Sequence, residues 1–246
     1  MTIQPTFLQI NLAKVKIRVV KNDSDFVMCI EGGEGVGKSS LAFHIATDLD
    51  PNFHVGKIVF DFDDFKSAVK KSKKGDVILV DEGALVLFKR DAMKGDVKDM
   101  IKLFTAIRQY NLIIIICVPR FEIIDSYLRD YRVKCLIKLT MRGRYAVYNR
   151  SKIKQIHRHK KFGRWVYPTP NFKESFPKFT GDIWKDYLKK KGKVLDNSTT
   201  KFMGVSEFAK KNKVHPMTIR NRIKDNKIKY ELTSTGRYRI PSDQKI

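Results

Sequence analysis

Short apolar runs rich in valine and isoleucine recur between residues 26 and 139 and predict the strands of one sheet. Within each run, apolar residues occupy successive rather than alternate positions. This pattern is typical of strands that are buried on both faces, as in a parallel sheet covered by helices. The predicted strands cover residues 26–31, 57–61, 77–82, 112–119 and 133–139.

Segments with the spacing of amphipathic helices lie between these runs and define the fold class. In the segment 96–109, Met100, Phe104 and Ile107 fall on one apolar stripe. Such alternation predicts an α/β domain with a doubly wound, mostly parallel sheet and right-handed crossovers. Residues 144–150 are expected to add an antiparallel edge strand. The predicted helices cover 38–48, 63–72, 96–109 and 121–130.

The sequence changes character after residue 150. Pro168, Pro170 and Pro177, set among basic and aromatic residues, predict an extended connector rather than a packed element. A short helix at 181–193 and a flexible linker at 193–201 are expected before the C-terminal segment. The predicted organisation is therefore a domain of residues 1–150, a basic connector of 151–200 and a small domain of 201–246.

The net charge divides unevenly along the chain. The 246 residues include 50 Lys or Arg and 26 Asp or Glu, which gives a formal charge of +24. Residues 1–150 carry 25 basic and 18 acidic side chains, whereas residues 151–246 carry 25 and 8. This asymmetry predicts a polyanionic partner, either nucleic acid or an anionic membrane surface, bound mainly by the C-terminal part.

Membrane insertion is not expected. The longest apolar run, Leu112 to Val118, is far shorter than the roughly 20 residues that a spanning helix needs. The first residues lack the basic segment followed by an apolar one that is typical of a signal peptide.

The cysteines Cys29, Cys117 and Cys135 lie in strand-like runs, which favours buried thiols in a reducing cytoplasm over disulfides or metal ligands.

A complete phosphate-binding motif follows the first predicted strand. Residues 32–39 match G-x-x-x-x-G-K-[ST] between a buried strand and an amphipathic helix. In such a loop, backbone N–H groups bind phosphate oxygens, Lys38 reaches the β- and γ-phosphates, and Ser39 binds Mg²⁺. The alternative is a chance glycine-rich turn. The candidate residues for binding ATP are Gly32, Gly33, Glu34, Gly35, Val36, Gly37, Lys38, Ser39 and Ser40.

A pair of carboxylates closes the strand predicted at 77–82. Asp81 is expected beside the phosphate loop, where its carboxylate would bind Mg²⁺. Glu82 is a candidate general base that polarises the attacking water. The alternative for Glu82 is that it simply begins a loop or caps a helix. With both roles filled, the site would be a nucleotide hydrolase.

Arg108 has two interpretations. It could project into the active site of a neighbouring subunit and stabilise charge on the transferred phosphoryl group. It could equally be a cation at a helix C-terminus that interacts with the helix dipole. Spacing alone does not separate the two.

From the phosphate loop through Asp81 and Glu82 to the segment AIRQYNLIIIICVPRFEIIDSYLR, the chain resembles the HerA–FtsK superfamily of DNA-pumping ATPases. Its zonula occludens toxin-like branch, carried by plasmids and viruses, is nearest in pattern. The resemblance covers about residues 20–150, maps a family arginine finger onto Arg108, and implies a hexameric ring around DNA. One departure is Val118, which stands where the family usually has a γ-phosphate-sensing Gln. Arg120 or Arg129 could substitute for it.

In the C-terminal segment, Val205, Phe208 and Ala209 make one apolar helix stripe, and Ile219 and Ile223 anchor a second helix. This layout resembles the winged helix-turn-helix of excisionase- and MerR-type proteins across residues 202–241. Its second helix would enter the major groove, and a basic wing at residues 235–239 would contact phosphates or the minor groove. His215 stands where those proteins usually have a Ser or Thr cap. A basic protein-docking module is the alternative. The candidate DNA-binding residues are Thr218, Arg220, Asn221, Arg222, Lys224, Arg237 and Arg239.

These features favour an ATP-driven DNA translocase or packaging motor of a virus or plasmid, located in the cytoplasm. ATP and Mg²⁺ are the expected cofactors, and DNA, further copies of the chain and virion or other mobile-element proteins are the expected partners. One alternative is an ATP-switched DNA-binding protein for replication initiation, partition or transcription. Another is a filamentous-phage-like assembly ATPase, which should contain a membrane segment.

Overall fold

The computed structural model describes residues 4–81, 94–199, 202–232, 237–242 and 244. The chain divides into two compact units, Met1–Tyr187 and Leu188–Ile246. Each unit has a hydrophobic core of its own.

Short strands form the framework of the first unit. They are β1 (Phe26–Glu31), β2 (Ile58–Val59), β3 (Val77–Val80), β4 (Ile113–Val118), β5 (Val133–Met141), β6 (Arg144–Asn149), β7 (His157–Arg158), β8 (Trp165–Val166) and β9 (Phe172–Ser175). A seven-stranded sheet has the order β2-β3-β4-β1-β5-β6-β9. Its first five strands are parallel, β6 is antiparallel to β5, and β9 is antiparallel to β6.

Helices connect the parallel strands, as the apolar spacing predicts. The described α-helices up to residue 199 are α1 (Phe7–Lys21), α2 (Lys38–Leu49), α3 (Phe62–Lys71), α4 (Lys94–Gln109), α5 (Arg150–Ile153) and α6 (Asp182–Thr199). Shorter helical turns lie at Val55–Lys57, Phe121–Ile123 and Leu128–Arg132. The prediction of a mixed α/β fold with a large, mostly parallel sheet is confirmed.

The register of the parallel strands aligns their ends. Phe26 at the start of β1 pairs with Ile113 of β4, which also pairs with Val77 of β3. At the other end of β1, Glu31 pairs with Val118. Because the strands run in the same direction, the carboxyl ends of β1, β3 and β4 meet at one edge of the sheet.

Both faces of the central strands are buried. Every residue of β1, β3 and β4 lies in the interior. On one face, side chains such as Cys29 and Ile114 pack with Phe65 of α3 and Phe104 of α4. Helix α2 packs against β1, β3 and β4. The expectation from continuous apolar runs is therefore confirmed.

Helix α1 precedes the predicted elements and has no counterpart in the sequence prediction. It begins with a capping box: the Gln9 N–H donates to the Thr6 hydroxyl at 3.2 Å, and the Thr6 N–H donates to the Gln9 side chain at 3.1 Å. The N–H groups of Phe7 and Leu8 donate to the Glu174 carboxylate of β9 at 2.8 and 3.1 Å. A carboxylate at a helix N-terminus also interacts favourably with the helix dipole.

After β4 the structure departs from the prediction in three places. The predicted helix over 121–130 is instead two separate short turns, because Ile124 is extended (φ −68°, ψ 140°) and the Asp125 carboxylate accepts from the Tyr127 N–H at 2.8 Å, which begins a new turn. Strand β6 is not an edge strand, since β9 pairs with its outer side. Strand β9 lies inside the predicted connector, so the first unit extends past residue 150 to Tyr187.

The region predicted as a flexible linker at 193–201 is helical as far as Thr199, because α6 continues through it.

Of the cysteines, Cys29 and Cys117 are buried and Cys135 is half-buried, and all are free thiols. In the parts of the chain that the structure describes, no helix is both long enough and apolar enough to cross a bilayer.

The second unit combines two helices with a small antiparallel sheet. Its elements are β10 (Phe202–Gly204), α7 (Val205–Lys211), α8 (Pro216–Lys224), β11 (Glu231–Leu232) and β12 (Tyr238–Pro241). The sheet has the order β10-β12-β11. The core of the second unit contains Phe208, Ala209, Ile219, Ile223, Ile228 and Ile240. Thr235 and Gly236 of the predicted wing lie outside the described residues.

A buried ion pair joins the end of α2 to the start of β3. The Lys57 ammonium lies 2.6 Å from Asp50 and 3.1 Å from Asp76, and Asp50 also accepts from the Val77 N–H at 3.2 Å. Breaking a buried pair by removing one partner leaves an uncompensated charge, which costs about 3–5 kcal/mol.

We therefore expect Lys57→Met to lower the free energy of unfolding by about 3 kcal/mol. The measurement is urea denaturation of the full chain. Lys66→Met is the control, since Lys66 pairs with the exposed Asp63 and such pairs contribute at most about 1 kcal/mol. Equal losses in the two variants would contradict a structural role for the buried pair.

Candidate nucleotide-binding site

The phosphate loop connects β1 to α2, and its glycines are needed by the backbone. Gly35 and Gly37 have φ angles of +71° and +103°, in the left-handed region that side chains with a Cβ rarely adopt. At Gly32 a Cβ would lie 2.8 Å from Val36 Cγ2 and 3.1 Å from Leu139 Cβ. The loop therefore takes a conformation that non-glycine residues would disrupt.

The Lys38 side chain crosses the loop that precedes it. Its ammonium donates to the backbone oxygens of Gly32 and Gly33 at 2.9 and 2.8 Å, and the residue is buried. Lys38 is also the first residue of α2. The cation and the positive end of the helix dipole therefore lie together at the loop, which is an arrangement suited to phosphate.

Ser39 and Asp81 meet although a strand separates their elements. Asp81 directly follows β3, and β4 lies between β3 and β1. The Ser39 hydroxyl donates to Asp81 Oδ1 at 3.4 Å, and Asp81 is 1% exposed. The tertiary structure therefore brings the two predicted metal ligands together.

The chemistry of these donors fits Mg²⁺. The ion prefers hard oxygen ligands and is usually held by one or two protein groups together with phosphate oxygens and water. Ser39 and Asp81 supply a hydroxyl and a carboxylate oxygen. Among the described residues, no group of three or more His, Cys, Asp or Glu side chains forms a metal cluster. The Ser39–Asp81 pair suits an ion that arrives with a nucleotide, because phosphate oxygens and water can supply its other ligands.

The Ser40 side chain connects α2 to a later part of the chain. Its hydroxyl accepts a hydrogen bond from the Phe179 N–H at 2.6 Å, and the residue is buried. This bond holds the chain beyond β9 against the first turn of α2. Glu34, by contrast, is an exposed residue of the loop.

Tyr187 of α6 is a site residue that sequence reasoning missed. Its hydroxyl donates to Asp81 Oδ2 at 2.7 Å, and only 2% of the residue is exposed. Burial raises the pKa of Tyr187, and the charge of Asp81 raises it further. The phenol therefore stays protonated and donates. No spacing signal could have linked residues so far apart in the chain.

A second buried carboxylate lies at the same edge of the sheet. Glu31 ends β1 and accepts from the Tyr167 hydroxyl at 2.9 Å, and the Lys138 ammonium lies 3.3 Å away. Burial raises the pKa of Glu31, and Lys138 opposes the shift. The Lys138 ammonium also lies 3.4 Å from the centre of the Tyr167 ring. These three residues form a polar cluster next to Gly32, and the sequence motif gave no signal for it.

Arg108 lies away from the phosphate loop of its own chain. It is an exposed residue near the end of α4, shortly before β4 begins. Because β4 and β1 are parallel, this end of β4 lies at the opposite edge of the sheet from the loop. Six residues of strand span about 20 Å, which is more than an arginine side chain reaches.

Four other residues named from the sequence are Glu82, Val118, Arg120 and Arg129. Glu82 lies outside the described residues. Val118 is fully buried, and its backbone oxygen accepts from the Gly32 N–H at 3.2 Å. Arg120 is exposed at the edge where the phosphate loop lies. Arg129 is paired with the neighbouring Asp130 at 2.9 Å.

The candidate DNA-binding residues lie on α8 and at β12 of the second unit. His215 caps α8, since its Nδ1 accepts from the Met217 N–H at 3.2 Å. The histidine thus takes the place of the Ser or Thr cap. Arg220, Asn221 and Lys224 of α8 are exposed, Thr218 and Arg222 are half-buried, and Arg237 and Arg239 are exposed.

A family model described as zonular occludens toxin (Zot) matches residues 52–173. Zot is a P-loop ATPase family related to the HerA–FtsK branch, so the predicted resemblance is confirmed over this range. The matched range contains Asp81 and Arg108 and begins after the phosphate loop. No curated protein matches the chain. The similarity to Zot suggests an ATPase of phage or mobile-element origin.

A substitution at Gly32 tests the close packing of the loop. A Cβ at Gly32 would meet Val36 and Leu139. Overpacking costs about 1–3 kcal/mol, so we expect Gly32→Ala to weaken ATP binding by about tenfold or more. Titration with a fluorescent ATP analogue in the presence of Mg²⁺ measures the change.

Gly192→Ala, in α6, is the control, because a Cβ there has nothing within 4 Å and the residue lies outside the phosphate loop; it is expected to bind the analogue with nearly the affinity of the parent protein. If the two variants bound equally well, the close contact at Gly32 would not shape the loop.

Proposed function

We propose that the protein is an ATP-hydrolysing DNA translocase of a virus or plasmid, serving DNA packaging or transfer. The observation that carries the proposal is the meeting of Ser39 with Asp81 beside Lys38 at one edge of the sheet. The similarity of residues 52–173 to Zot supports the proposal independently of this geometry.

The roles of the residues follow from their chemistry. Lys38 binds the β- and γ-phosphates, and the N–H groups of the loop and of the first turn of α2 bind the remaining phosphate oxygens. Ser39 and Asp81 hold Mg²⁺, which when bound neutralises charge on the phosphates. Glu82 polarises the attacking water.

The position of Arg108 favours a shared active site. An arginine at the edge opposite its own phosphate loop can stabilise the transferred phosphoryl group only in a neighbouring copy. We therefore propose a ring, with six subunits as the resemblance to HerA–FtsK ATPases implies, in which Arg108 of one subunit completes the site of the next.

The second unit would recruit the motor to DNA as a winged helix-turn-helix. Its core holds α7 and α8 together with a small sheet, and α8 exposes Arg220 and Asn221. These two residue types pair bidentately with guanine and adenine edges. The excess of basic residues after residue 150 adds attraction to phosphates that does not depend on sequence.

Displacement of a triplex-forming strand from linear duplex DNA tests this function. We expect the parent protein to displace the strand only with ATP and Mg²⁺, because movement along the duplex needs hydrolysis. Glu82→Gln should keep its affinity for the ATP analogue and lose displacement, since the base assists hydrolysis and not binding.

Two outcomes would contradict the proposal. ATP-dependent DNA binding without displacement would favour an ATP-switched DNA-binding protein. Undiminished hydrolysis by Glu82→Gln would contradict the assignment of the base.

A second prediction concerns the choice of DNA sequence. We expect Arg220→Ala to relax the base preference at one position, at a cost of about 1–3 kcal/mol. Lys210→Ala, which changes an exposed residue of α7, should weaken binding to all sequences alike. Selection of bound duplexes from a randomised pool measures both effects. An unchanged preference in Arg220→Ala would argue for the protein-docking alternative.

A further inference from the structure

The carboxylate of Asp81 is held from both sides. Oδ1 lies 3.4 Å from the Ser39 hydroxyl, and Oδ2 accepts from the Tyr187 hydroxyl at 2.7 Å. The two contacts together fix the orientation of the carboxylate. They direct Oδ1 toward the residue with which Asp81 would share the metal ion.

The Tyr187 ring packs within a cluster of aromatic side chains. Its ring lies 5.0 Å from the rings of Phe43 and Trp184 and is stacked on Phe60 at 6.2 Å, measured between ring centres. A ring packed in this way loses little entropy when its hydroxyl is ordered, because the packing already fixes the side chain. The hydroxyl position is therefore set before any ligand binds.

The segment that carries Tyr187, residues 176–187, is attached to α2 at several points. The Phe179 N–H donates to the Ser40 hydroxyl at 2.6 Å, and His44 Nε2 lies 3.0 Å from the Pro177 oxygen. The Phe176 ring lies against Gly37. These contacts hold residues 176–187 on the same helix that presents Lys38 and Ser39.

We propose that Tyr187 is a positioning residue for the Mg²⁺ site, so that residues 176–187 complete the ATPase site although they follow the sheet in the chain. This inference rests on the proposed function, in which Asp81 and Ser39 hold the metal ion. Partners that orient a metal ligand commonly contribute about 10–100-fold to metal affinity.

Tyr187→Phe tests the inference, because it removes one oxygen and keeps the ring in its cluster. The affinity for a fluorescent ATP analogue is measured first with EDTA and then over a series of Mg²⁺ concentrations. We expect the affinity without Mg²⁺ to stay within about twofold of the parent protein. We expect the Mg²⁺ concentration at half-maximal enhancement to rise about tenfold.

Tyr145→Phe is the matched control. Tyr145 is also buried, and its hydroxyl donates to the Glu174 carboxylate at 2.8 Å. The control therefore loses an equivalent hydrogen bond that does not involve Asp81. We expect its Mg²⁺ dependence to match that of the parent protein.

The other possible outcomes distinguish failure of the positioning role from failure of the proposed function. An unshifted Mg²⁺ dependence in Tyr187→Phe, or an equal shift in Tyr145→Phe, overturns the positioning role alone. Loss of affinity already in EDTA would mean that Tyr187 maintains the fold, which also overturns it. If the parent protein bound no nucleotide, or bound it without regard to Mg²⁺, the proposed function itself would fail.

Discussion

The parallel register of β1, β4 and β3 is the constraint on which the candidate site depends. It places the ends of these strands at one edge, so that the loop after Glu31 and the carboxylate after Val80 face the same space. Every residue of the three strands lies in the interior. A shift by one residue would turn each side chain to the other face of the sheet.

Three charged groups at this edge, those of Lys38, Asp81 and Glu31, are buried, and burial requires partners for each of them. Lys38 donates to two backbone oxygens of its own loop. Asp81 is bonded by Ser39 and Tyr187, and Glu31 is bonded by Tyr167 with Lys138 nearby. Two of these partners, Tyr167 and Tyr187, come from the part of the first unit that follows β6. That part therefore supplies hydrogen bonds to the buried carboxylates of the site and also adds strand β9 to the sheet.

Local patterns predicted the elements that are long and uniformly apolar. The strand at 26–31 agrees with β1 residue for residue, and the helix predicted at 38–48 differs from α2 by one residue. Prediction failed where an element depends on distant contacts. Strand β9 has four residues between prolines, and only its pairing with β6 makes it a strand. The turns between Phe121 and Arg132 pack apolar side chains at helical spacing without forming an α-helix.

The sequence by itself determined the phosphate loop, because glycine, lysine and serine at fixed spacing between a strand and a helix are local properties. It also placed Asp81 at the end of a buried strand. Only the tertiary structure decided which residues surround that carboxylate, since β4 separates its strand from β1 and Tyr187 lies about a hundred positions later in the chain. Contacts between distant segments depend on how the sheet and helices pack, and no spacing in the sequence encodes them.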